Sequence, residues 1–300
     1  MCRLRRGDFA QAWAEFEWRL RIPAYTQPRG FIQPQWKGES LNGKTILLHA
    51  EAGISDAVQF VRYAPLVAQR GGQVMLECQA KLALLFAGLP GVERVLVRGQ
   101  RLPPFDFHCP LASLPLAFGT DLNSIPAAVP YLKVDEILRA KWSTRLGPSD
   151  GRRRIGVRWS GRPNFHRHRN PAIAPSELAP LMGTKDAVFY ALQPAESPEL
   201  VDFSVDLTDF SQTAAFIANL DLVLTVDTSV AHIAGAIGTP VWLMLPKVAD
   251  WRWFLNRQDS PWYPTMRLFR QTEFGDWTPV VRNISQSLPA DWKSGPRSVT

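Results

Sequence analysis

Short apolar runs of strand length alternate with segments of helical periodicity, and this alternation constrains the fold more than any other feature of the chain. In the first half, residues 44–50, 73–78 and 92–97 have the apolar content of buried strands, with helical patterns between them. Strands and helices that alternate at this spacing form βαβ units around a parallel sheet. The sequence therefore predicts an α/β fold for this half.

A second series of the same kind follows a turn-forming stretch at residues 148–151. Its predicted strands are residues 154–159, 187–192, 222–226 and 240–245, and its predicted helices are residues 211–218 and 229–236. A chain of 300 residues has room for two domains of ordinary size. We therefore expect two successive α/β domains with parallel sheets.

The segments outside these two series have weaker patterns. Residues 7–20 place apolar side chains at helical spacing, which predicts an amphipathic helix without a partner in the adjoining sequence. Prolines then interrupt regular structure up to about residue 40. Residues 101–131 are rich in proline and leucine and are predicted to be irregular, with residues 108–110 near a strand end.

The chain carries a net charge of +7 with a pI of about 9.6, and its basic residues cluster at 152–154 and 158–169. Nucleic acid, an anionic membrane surface and a small polyanion such as a nucleotide diphosphate would each explain this excess. No zinc-finger spacing or RNA-binding motif accompanies the charge. We therefore expect no nucleic acid as a partner.

The sequence also suggests a compartment. No apolar run reaches the roughly 18 residues of a membrane-spanning helix, and the basic N-terminus leads into an amphipathic stretch rather than a secretory signal. Cys2, Cys78 and Cys109 are widely spaced and form no CxxC pair, which favours structural thiols in a reducing compartment. We expect a cytoplasmic protein, with the inner face of the membrane as an alternative.

Asp56 is the first candidate for chemistry. It follows a predicted strand and a loop with Gly53, and it opens a helix at the edge where parallel sheets bind ligands. A carboxylate there could act as general base toward a hydroxyl group. The alternative is an acidic residue that stabilises the helix dipole.

The second candidate is the turn at residues 226–236, where a buried strand runs directly into a helix of small residues. The first N–H groups of such a helix, with the hydroxyls of Thr228 and Ser229, favour an anion. Asp227 or Thr228 could instead simply cap the helix. Capping alone leaves His232 unexplained, one turn into the helix.

The third candidate is the polar loop after the predicted strand at 154–159, which contains Trp159, Ser160 and Gly161, with Arg169 further on. An arginine binds phosphate through its bidentate guanidinium, and a solvated basic loop is the alternative. His166 and His168 lie nearby without a third ligand, so no metal site is expected. Gln193 follows the next strand and could bind a base or a ribose.

Aromatic residues are concentrated at 250–253 and 259–264. They could stack on a base or a sugar, or pack an interdomain core. The chain contains neither the G-x-G-x-x-G nor the P-loop motif, and this argues against dinucleotide oxidoreductases and P-loop enzymes. No D-x-D motif stands at a strand end, so a metal-bridged diphosphate is not supported.

Three blocks in one order carry a family resemblance: residues 46–63, 227–232 and 250–264. Together they resemble the domain that follows tetratricopeptide repeats in many bacterial proteins, which is similar to the ADP-heptose heptosyltransferases of glycosyltransferase family 9. The resemblance covers about residues 7–290. The predicted helix at 7–20 looks like the end of a last tetratricopeptide repeat.

The resemblance implies a GT-B fold, in which two Rossmann-like domains with parallel sheets face a central cleft. It also implies an inverting, metal-independent transfer from a nucleotide-diphosphate sugar. This sugar is a co-substrate, and no cofactor is implied. Asp56 matches the general base. Asp227, Thr228 and His232 match the diphosphate-binding turn, and Trp159, Gly161 and Gln193 match other donor-site positions. With Ser160, Arg169 and Ser229 they make up the predicted nucleotide-sugar site.

The chain departs from the family pattern at the same site. Ser55 stands where glycine is usual, and Pro194 stands where lysine often follows the glutamine. Of a common Asp-Arg-x-Arg-Ser run, only Arg169 is retained, followed by Asn170, Pro171 and Ala172. These departures favour a second hypothesis, a catalytically degenerate binding or scaffold module that works with tetratricopeptide repeats.

We therefore predict four segments. They are an N-terminal helix and linker (1–38), an acceptor domain (39–148), a nucleotide-sugar domain (149–290) and a tail (291–300). The expected partners are a nucleotide-sugar donor and a glycan, lipid or protein acceptor. A protein partner that binds the N-terminal helix is a further expectation.

Overall fold

The structure, a computed structural model, describes residues 1–22, 29–161, 172–195 and 197–291, with side chains up to residue 288. Its first sheet is parallel and has the strand order β3-β2-β1-β4. The strands are β1 (Thr45–His49), β2 (Gln73–Cys78), β3 (Val92–Val97) and β4 (Phe107–Pro110). β4 lies within the segment that was predicted to be irregular. The expectation of a strand end at residues 108–110 is confirmed.

The second sheet is also parallel, with the order β10-β9-β8-β5-β6-β7. Its strands are β5 (Arg153–Arg158), β6 (Ala187–Ala191), β7 (Leu200–Asp202), β8 (Leu222–Val226), β9 (Val241–Leu245) and β10 (Met266–Arg270). β8 and β9 are buried along their whole length, as expected of central strands in a parallel sheet. The predicted α/β fold with two parallel sheets is confirmed.

Helices connect the strands and cover the sheets. They are α1 (Cys2–Arg6), α2 (Phe9–Phe16), α3 (Ile54–Phe60), α4 (Ala64–Ala68), α5 (Ala83–Phe86), α6 (Leu114–Ala117), α7 (Glu136–Leu146), α8 (Pro175–Met182), α9 (Phe210–Ile217), α10 (Ser229–Ala236) and α11 (Thr278–Asp291). Short 3-10 helices include Glu17–Arg21 and Trp251–Trp253. No helix among the described residues combines the length and the hydropathy needed to cross a bilayer.

In each sheet, successive strands are added first on one side of a central strand and then on the other, and we call the position where this change occurs the switch point. In the first sheet β2 lies on one side of β1 and β4 on the other, and in the second sheet β6 and β8 flank β5 in the same way. Ligands of open parallel sheets bind where the loops diverge at such a point. β5 and β8 end side by side, with Arg158 opposite Thr225, so Asp227 follows at the level of the Trp159 loop.

One apolar core joins the two halves. α3 from the first half packs against α10 from the second, and the buried residues around them form one continuous cluster. A second cluster lies between the other face of the second sheet and the helices α8 and α11. The two switch points are therefore held together by packed helices.

The N-terminal segment differs from the single helix predicted over 7–20. Gly7 adopts a left-handed conformation that ends α1, and α2 passes into a 3-10 helix after Phe16. The apolar face of α2 is covered by distant residues, since Trp13 packs edge-on against Trp251 with ring centroids 5.6 Å apart. This face therefore belongs to the shared core.

The domain boundary at residue 148 stays a prediction. α7 precedes it, but Trp142 in α7 donates a hydrogen bond of 2.9 Å from Nε1 to Oε1 of Gln212 in α9. The backbone N–H of Tyr131 likewise bonds the carbonyl of Ala236 at 3.0 Å. The chain thus contacts the second half well before residue 148.

The three cysteines are free thiols, and two of them pack as expected. Cys78 and Cys109 are buried, and burial raises the pKa of the Cys78 thiol to about 12. The expectation of a buried structural thiol is wrong for Cys2, which is exposed at the start of α1.

Candidate functional site

The turn between β8 and α10 has the features of an anion site. Thr228 is the N-cap residue, yet its side chain makes no capping hydrogen bond within the described part of the chain. Its Oγ1 lies 3.3 Å from Oγ1 of Thr225 instead. Thr228 is buried, and Ser229 is partly exposed beside it. Since simple capping by Thr228 is not observed, the first N–H groups of α10 keep their capacity to bind an acceptor.

Asp227 does not cap the helix either. Its Oδ2 accepts a hydrogen bond of 2.8 Å from the indole Nε1 of Trp253, and its side chain remains 22% exposed. Burial, and next the neighbouring carboxylate of Asp250, raise the pKa of Asp227 to about 7. This carboxyl group is therefore partly protonated at neutral pH.

His232 lies fully buried beneath the turn. Its Nδ1 is 2.7 Å from the hydroxyl of Tyr263, and its Nε2 lies 3.9 Å from Oδ1 of Asp227. Burial holds the pKa of His232 well below its ordinary value, and the charges of Arg252 and Arg62 act in the same direction. The imidazole is therefore neutral at physiological pH.

Asp56 stands in the first turn of α3, at the switch point of the first sheet. Its Oδ2 accepts the backbone N–H of Gly53 at 3.1 Å, so it does help to close the start of the helix. Its Oδ1 accepts a hydrogen bond from Nη2 of Arg252 within an ion pair. The side chain is 26% exposed. Both readings of Asp56, a helix-start acid and a carboxylate facing the second half, therefore apply to one residue.

Arg252 occupies the position between the two switch points that the sequence predicts to be an open gap. Besides Asp56, it bonds Oδ1 of Asp250 at 2.8 Å and the side chain of Gln59. Burial lowers the pKa of Arg252, but Asp56 and Asp250 outweigh that effect and leave it raised. In the sequence, residues 250–253 are considered only for their aromatic side chains, and the charge of Arg252 is not predicted to lie at the site.

The aromatic block itself packs the core. Trp251, Trp253, Trp262 and Tyr263 are buried, so the interdomain reading of residues 250–264 matches the structure better than exposed stacking on a ligand. Trp253 lies over His232 with ring centroids 5.4 Å apart. Its indole N–H bonds a candidate site residue, Asp227.

The loop after β5 is tied to the loop after β6 through Gln193. Oε1 of Gln193 accepts the backbone N–H groups of Trp159 at 3.2 Å and Ser160 at 3.0 Å, and Nε2 donates to Oγ of Ser160 at 3.0 Å. The Gln193 amide therefore shapes the loop. The Trp159 side chain is buried in the core beneath it, while Ser160 and Gly161 are partly exposed.

Arg169, with Asn170 and Pro171, lies outside the described residues. Of the departures from the family pattern, Ser55 is in the first turn of α3, Pro194 directly follows Gln193, and Ala172 is exposed.

Glu51 is a further residue that sequence reasoning missed. It follows β1 and is held by Arg19, whose Nη2 lies 2.9 Å from its Oε1. Arg19 also donates to Glu17 and Ser113. Burial raises the pKa of Glu51 against the opposing effect of Arg19. The 3-10 helix Glu17–Arg21 thus supports the loop that precedes α3 and Asp56.

Acidic side chains outnumber basic ones near the turn at Asp227. Among the described residues closest to it, the guanidinium of Arg252 faces three carboxyl groups, those of Asp56, Asp227 and Asp250. An anion at the turn would be repelled by three charged carboxylates, and protonation of Asp227 relieves part of that repulsion. No group of His, Cys, Asp or Glu among the described residues has the arrangement of a metal site.

A cleft of about 650 Å³ lies elsewhere, next to the first sheet. It is lined by residues 30–33 and 101–105, with Arg94 from β3. Neither Asp56 nor the turn at Asp227 lines it.

The family model for glycosyltransferase family 9 (heptosyltransferase) matches residues 205–242. This segment contains β8, the turn at Asp227 and all of α10. The match therefore falls on the strand and helix that form the second switch point.

Protein FlbA of Caulobacter vibrioides is 26% identical over 307 aligned positions, which cover 91% of this chain and 51% of the relative. The chain thus spans about half the length of this curated relative.

Solved structures have the same architecture. ADP-heptose LPS heptosyltransferase II of Escherichia coli is 14% identical, with a TM-score of 0.56, over 82% of this chain and 98% of that one. A glycosyltransferase family 9 structure from Veillonella parvula is 10% identical, with a TM-score of 0.55, over 87% and 92%. At this identity the likeness shows the fold. The chain therefore has the two-sheet α/β fold of these structures, and its residues 205–242 are similar to glycosyltransferase family 9.

Proposed function

We propose that this chain transfers a sugar from a nucleotide-diphosphate sugar to a hydroxyl group of a glycan, lipid or protein acceptor, with inversion and without a metal. The observation that carries the proposal is the convergence of the two switch points. Asp56 after β1 and the uncapped start of α10 after β8 lie on the same side of the molecule, connected through Arg252, Trp253 and Asp227.

The donor would bind to the second half. The N–H groups at the start of α10 and the hydroxyl of Ser229 would hold the diphosphate, as helix N-termini hold anions in other proteins. The loop at Ser160 and Gly161, shaped by Gln193, borders the same switch point. This assignment is supported by the family match over residues 205–242.

Asp56 would act as the general base. It accepts the proton of the acceptor hydroxyl, and the resulting oxygen attacks the anomeric carbon opposite the leaving group. The bond from that carbon to the phosphate oxygen breaks, and the nucleotide diphosphate departs with the bonding electrons. Helix N–H groups would stabilise the charge that develops on the leaving oxygen.

Arg252 connects the two functions of the site. In this structure Arg252 pairs with Asp56, and its positive charge compensates the negative charge that Asp56 needs as a general base. A diphosphate at α10 would offer Arg252 a second anion. We expect Arg252 to shift toward it and release one oxygen of Asp56, so that the base becomes available once the donor is bound.

Thermal unfolding with a panel of nucleotide-diphosphate sugars tests donor binding. A ligand present at about 100 times its Kd should stabilise the chain by about 2.7 kcal/mol. Asp56→Asn should keep this stabilisation but lower turnover by at least about 100-fold, because general-base catalysis contributes that much. Asp186→Asn, at an exposed position, is the control. Turnover retained in Asp56→Asn would remove Asp56 from its role.

A binding or scaffold module is the second candidate function. It is favoured by the hydrogen bonds on both oxygens of Asp56 and by the departures at Ser55 and Pro194. Donor binding without turnover in the wild type would support this candidate. Partnership with tetratricopeptide repeats, cytoplasmic location and association with the inner membrane face also remain proposals.

A further inference from the structure

A buried chain of polar side chains runs beneath the turn at Asp227. It consists of Arg62, Tyr131, Tyr263 and His232, which join the first half of the molecule to the second. None of these residues except His232 has a role in the function proposed above. The positions of their protons can be derived from the hydrogen-bond geometry.

Arg62 sets the direction of the chain because a guanidinium can only donate. Its Nη2 donates to the hydroxyl of Tyr131 at 3.0 Å, while Nη1 and Nε donate to the carbonyls of Trp262 and Gln59 at 2.5 and 2.8 Å. The hydroxyl of Tyr131 thus acts as acceptor toward Arg62. Its one proton points to the carbonyl of Val58 at 2.9 Å rather than to the hydroxyl of Tyr263 at 3.5 Å.

The hydroxyl of Tyr263 lies next to His232. The distance from its hydroxyl to Nδ1 of His232 is 2.7 Å, shorter than the 3.5 Å to the hydroxyl of Tyr131. We propose that Tyr263, oriented by Tyr131 and Arg62, donates to Nδ1 of His232 and thereby fixes this histidine as the Nε2–H tautomer. Its Nε2–H is then directed at the carboxyl group of Asp227.

The surroundings of Nε2 agree with this assignment. Nε2 of His232 is buried without a hydrogen-bond partner among the described residues, and Oδ1 of Asp227 is 3.9 Å away. Burial and the charge of Arg252 keep the ring neutral, so only one nitrogen carries a proton. A small rotation of Asp227 would complete a hydrogen bond to this Nε2–H.

Gly235 in α10 makes the contact between Tyr263 and His232 possible. A Cβ atom at position 235 would lie 2.6 Å from Cδ1 of Tyr263 and 2.6 Å from Cε of Met266. The ring of Tyr263 therefore packs where a side chain at 235 would stand. The glycine is needed for close approach and not for an unusual backbone angle.

The consequence for the site rests on the proposed function. Oδ2 of Asp227 accepts the indole N–H of Trp253, and the Nε2–H of His232 faces Oδ1 at 3.9 Å, so two ring N–H groups favour one orientation of the carboxyl that faces the donor. Tyr263 is therefore a positioning residue that acts through His232. Without the hydroxyl proton of Tyr263, Nδ1 of His232 has no hydrogen-bond donor, and the imidazole loses its fixed orientation.

Nitrogen-15 spectra of histidine in the full chain test the tautomer directly, since protonated and unprotonated ring nitrogens differ widely in chemical shift. The chain has five histidines, and His232→Gln assigns the signal. The wild type should show an Nε2–H tautomer whose Nδ1 accepts a hydrogen bond. An Nδ1–H tautomer would overturn the proposal without any variant.

Two variants then test the role of Tyr263. Tyr263→Phe should move the Nδ1 signal of His232 to that of a nitrogen without a hydrogen bond, and Gly235→Ala should do the same by displacing the ring. Tyr63→Phe is the matched control, because it removes a buried tyrosine hydroxyl that bonds Thr120 at 2.9 Å instead of His232. An unchanged Nδ1 signal in Tyr263→Phe and Gly235→Ala would overturn the proposal.

Binding separates this inference from the proposed function. Calorimetry with the nucleotide-diphosphate sugar that stabilises the wild type should give an affinity about tenfold weaker for Tyr263→Phe, which corresponds to one lost hydrogen bond near a charged group. Tyr63→Phe should bind like the wild type. If the wild type binds no such ligand, the proposed function fails, while the histidine spectra still decide the tautomer.

Discussion

Arg252 and Asp56 form an ion pair that joins the 3-10 helix after β9 to the first turn after β1. Their side chains are 10% and 26% exposed. The same guanidinium also pairs with Asp250 at 2.8 Å. One cation therefore connects the two switch points of the fold and neutralises the carboxylate proposed as the base.

Replacing Arg252 by methionine should lower the free energy of unfolding by about 3 kcal/mol. The substitution leaves Asp56 and Asp250 without their common cation, and breaking a buried pair costs about 3–5 kcal/mol. We expect the lower end because both carboxylates keep some contact with solvent. Urea titration measures the change.

Arg257→Met is the control for this prediction. Arg257 pairs with Asp259 at 2.5 Å on the surface, where such pairs contribute about 0–1 kcal/mol. Similar decreases in the free energy of unfolding of the two variants would show that the pair of Arg252 with Asp56 stabilises the fold no more than a surface pair does.

Asp227 should make stability fall as the pH rises toward neutrality. Its pKa is raised from about 3.9 in the unfolded chain to about 7 in the folded chain, chiefly by burial. A raised folded-state pKa stabilises the fold fully below the unfolded value, and this stabilisation is lost as the pH rises through about 7. The affinity for a nucleotide-diphosphate sugar should fall over the same range, because the carboxylate repels the diphosphate.

The Asp227→Asn variant checks both parts. The difference in unfolding free energy between wild type and variant should shift against the wild type between about pH 4 and pH 7. The affinity of the variant should depend less on pH. A constant difference in stability would contradict the raised pKa.

Gln193→Leu should weaken donor binding through the loop after β5. The backbone N–H groups of Trp159 and Ser160 lose their acceptor, at a cost of about 1–3 kcal/mol. Gln212→Leu removes the acceptor of Trp142 and serves as a control. Calorimetry should show weaker binding for Gln193→Leu alone. Equal affinities in both variants would argue against a role of this loop.

Trp13→Ala should destabilise the chain by about 3–5 kcal/mol, because Trp13 is only 2% exposed and bonds the carbonyl of Thr120 at 2.8 Å. Trp18→Ala, five residues along but 61% exposed, should change stability by no more than about 0.5 kcal/mol. Chemical denaturation compares the two. A small change in the unfolding free energy of Trp13→Ala would mean that α2 contributes little to the stability of the shared core.

The strands and the helices beside them were predictable because their signals are local. Residues 222–226 are apolar throughout, and a helix of small residues follows at once, so β8 and α10 were expected close to their observed bounds. The N-terminal helix was less predictable, since its apolar face is covered by Trp251 and Phe254 from the far end of the chain. Periodicity shows that a face is apolar but does not show what will cover it.

The sequence by itself determined two parallel sheets and the loops at their carboxyl ends, including Asp56 and the turn at Asp227, because strand and helix patterns depend on neighbouring residues. Only the tertiary structure decided that Arg252 lies between these positions, that Gln193 binds its own loop, and that Tyr263 reaches His232. Those contacts join residues far apart in the chain. They depend on how α3 packs against α10, which no local pattern specifies.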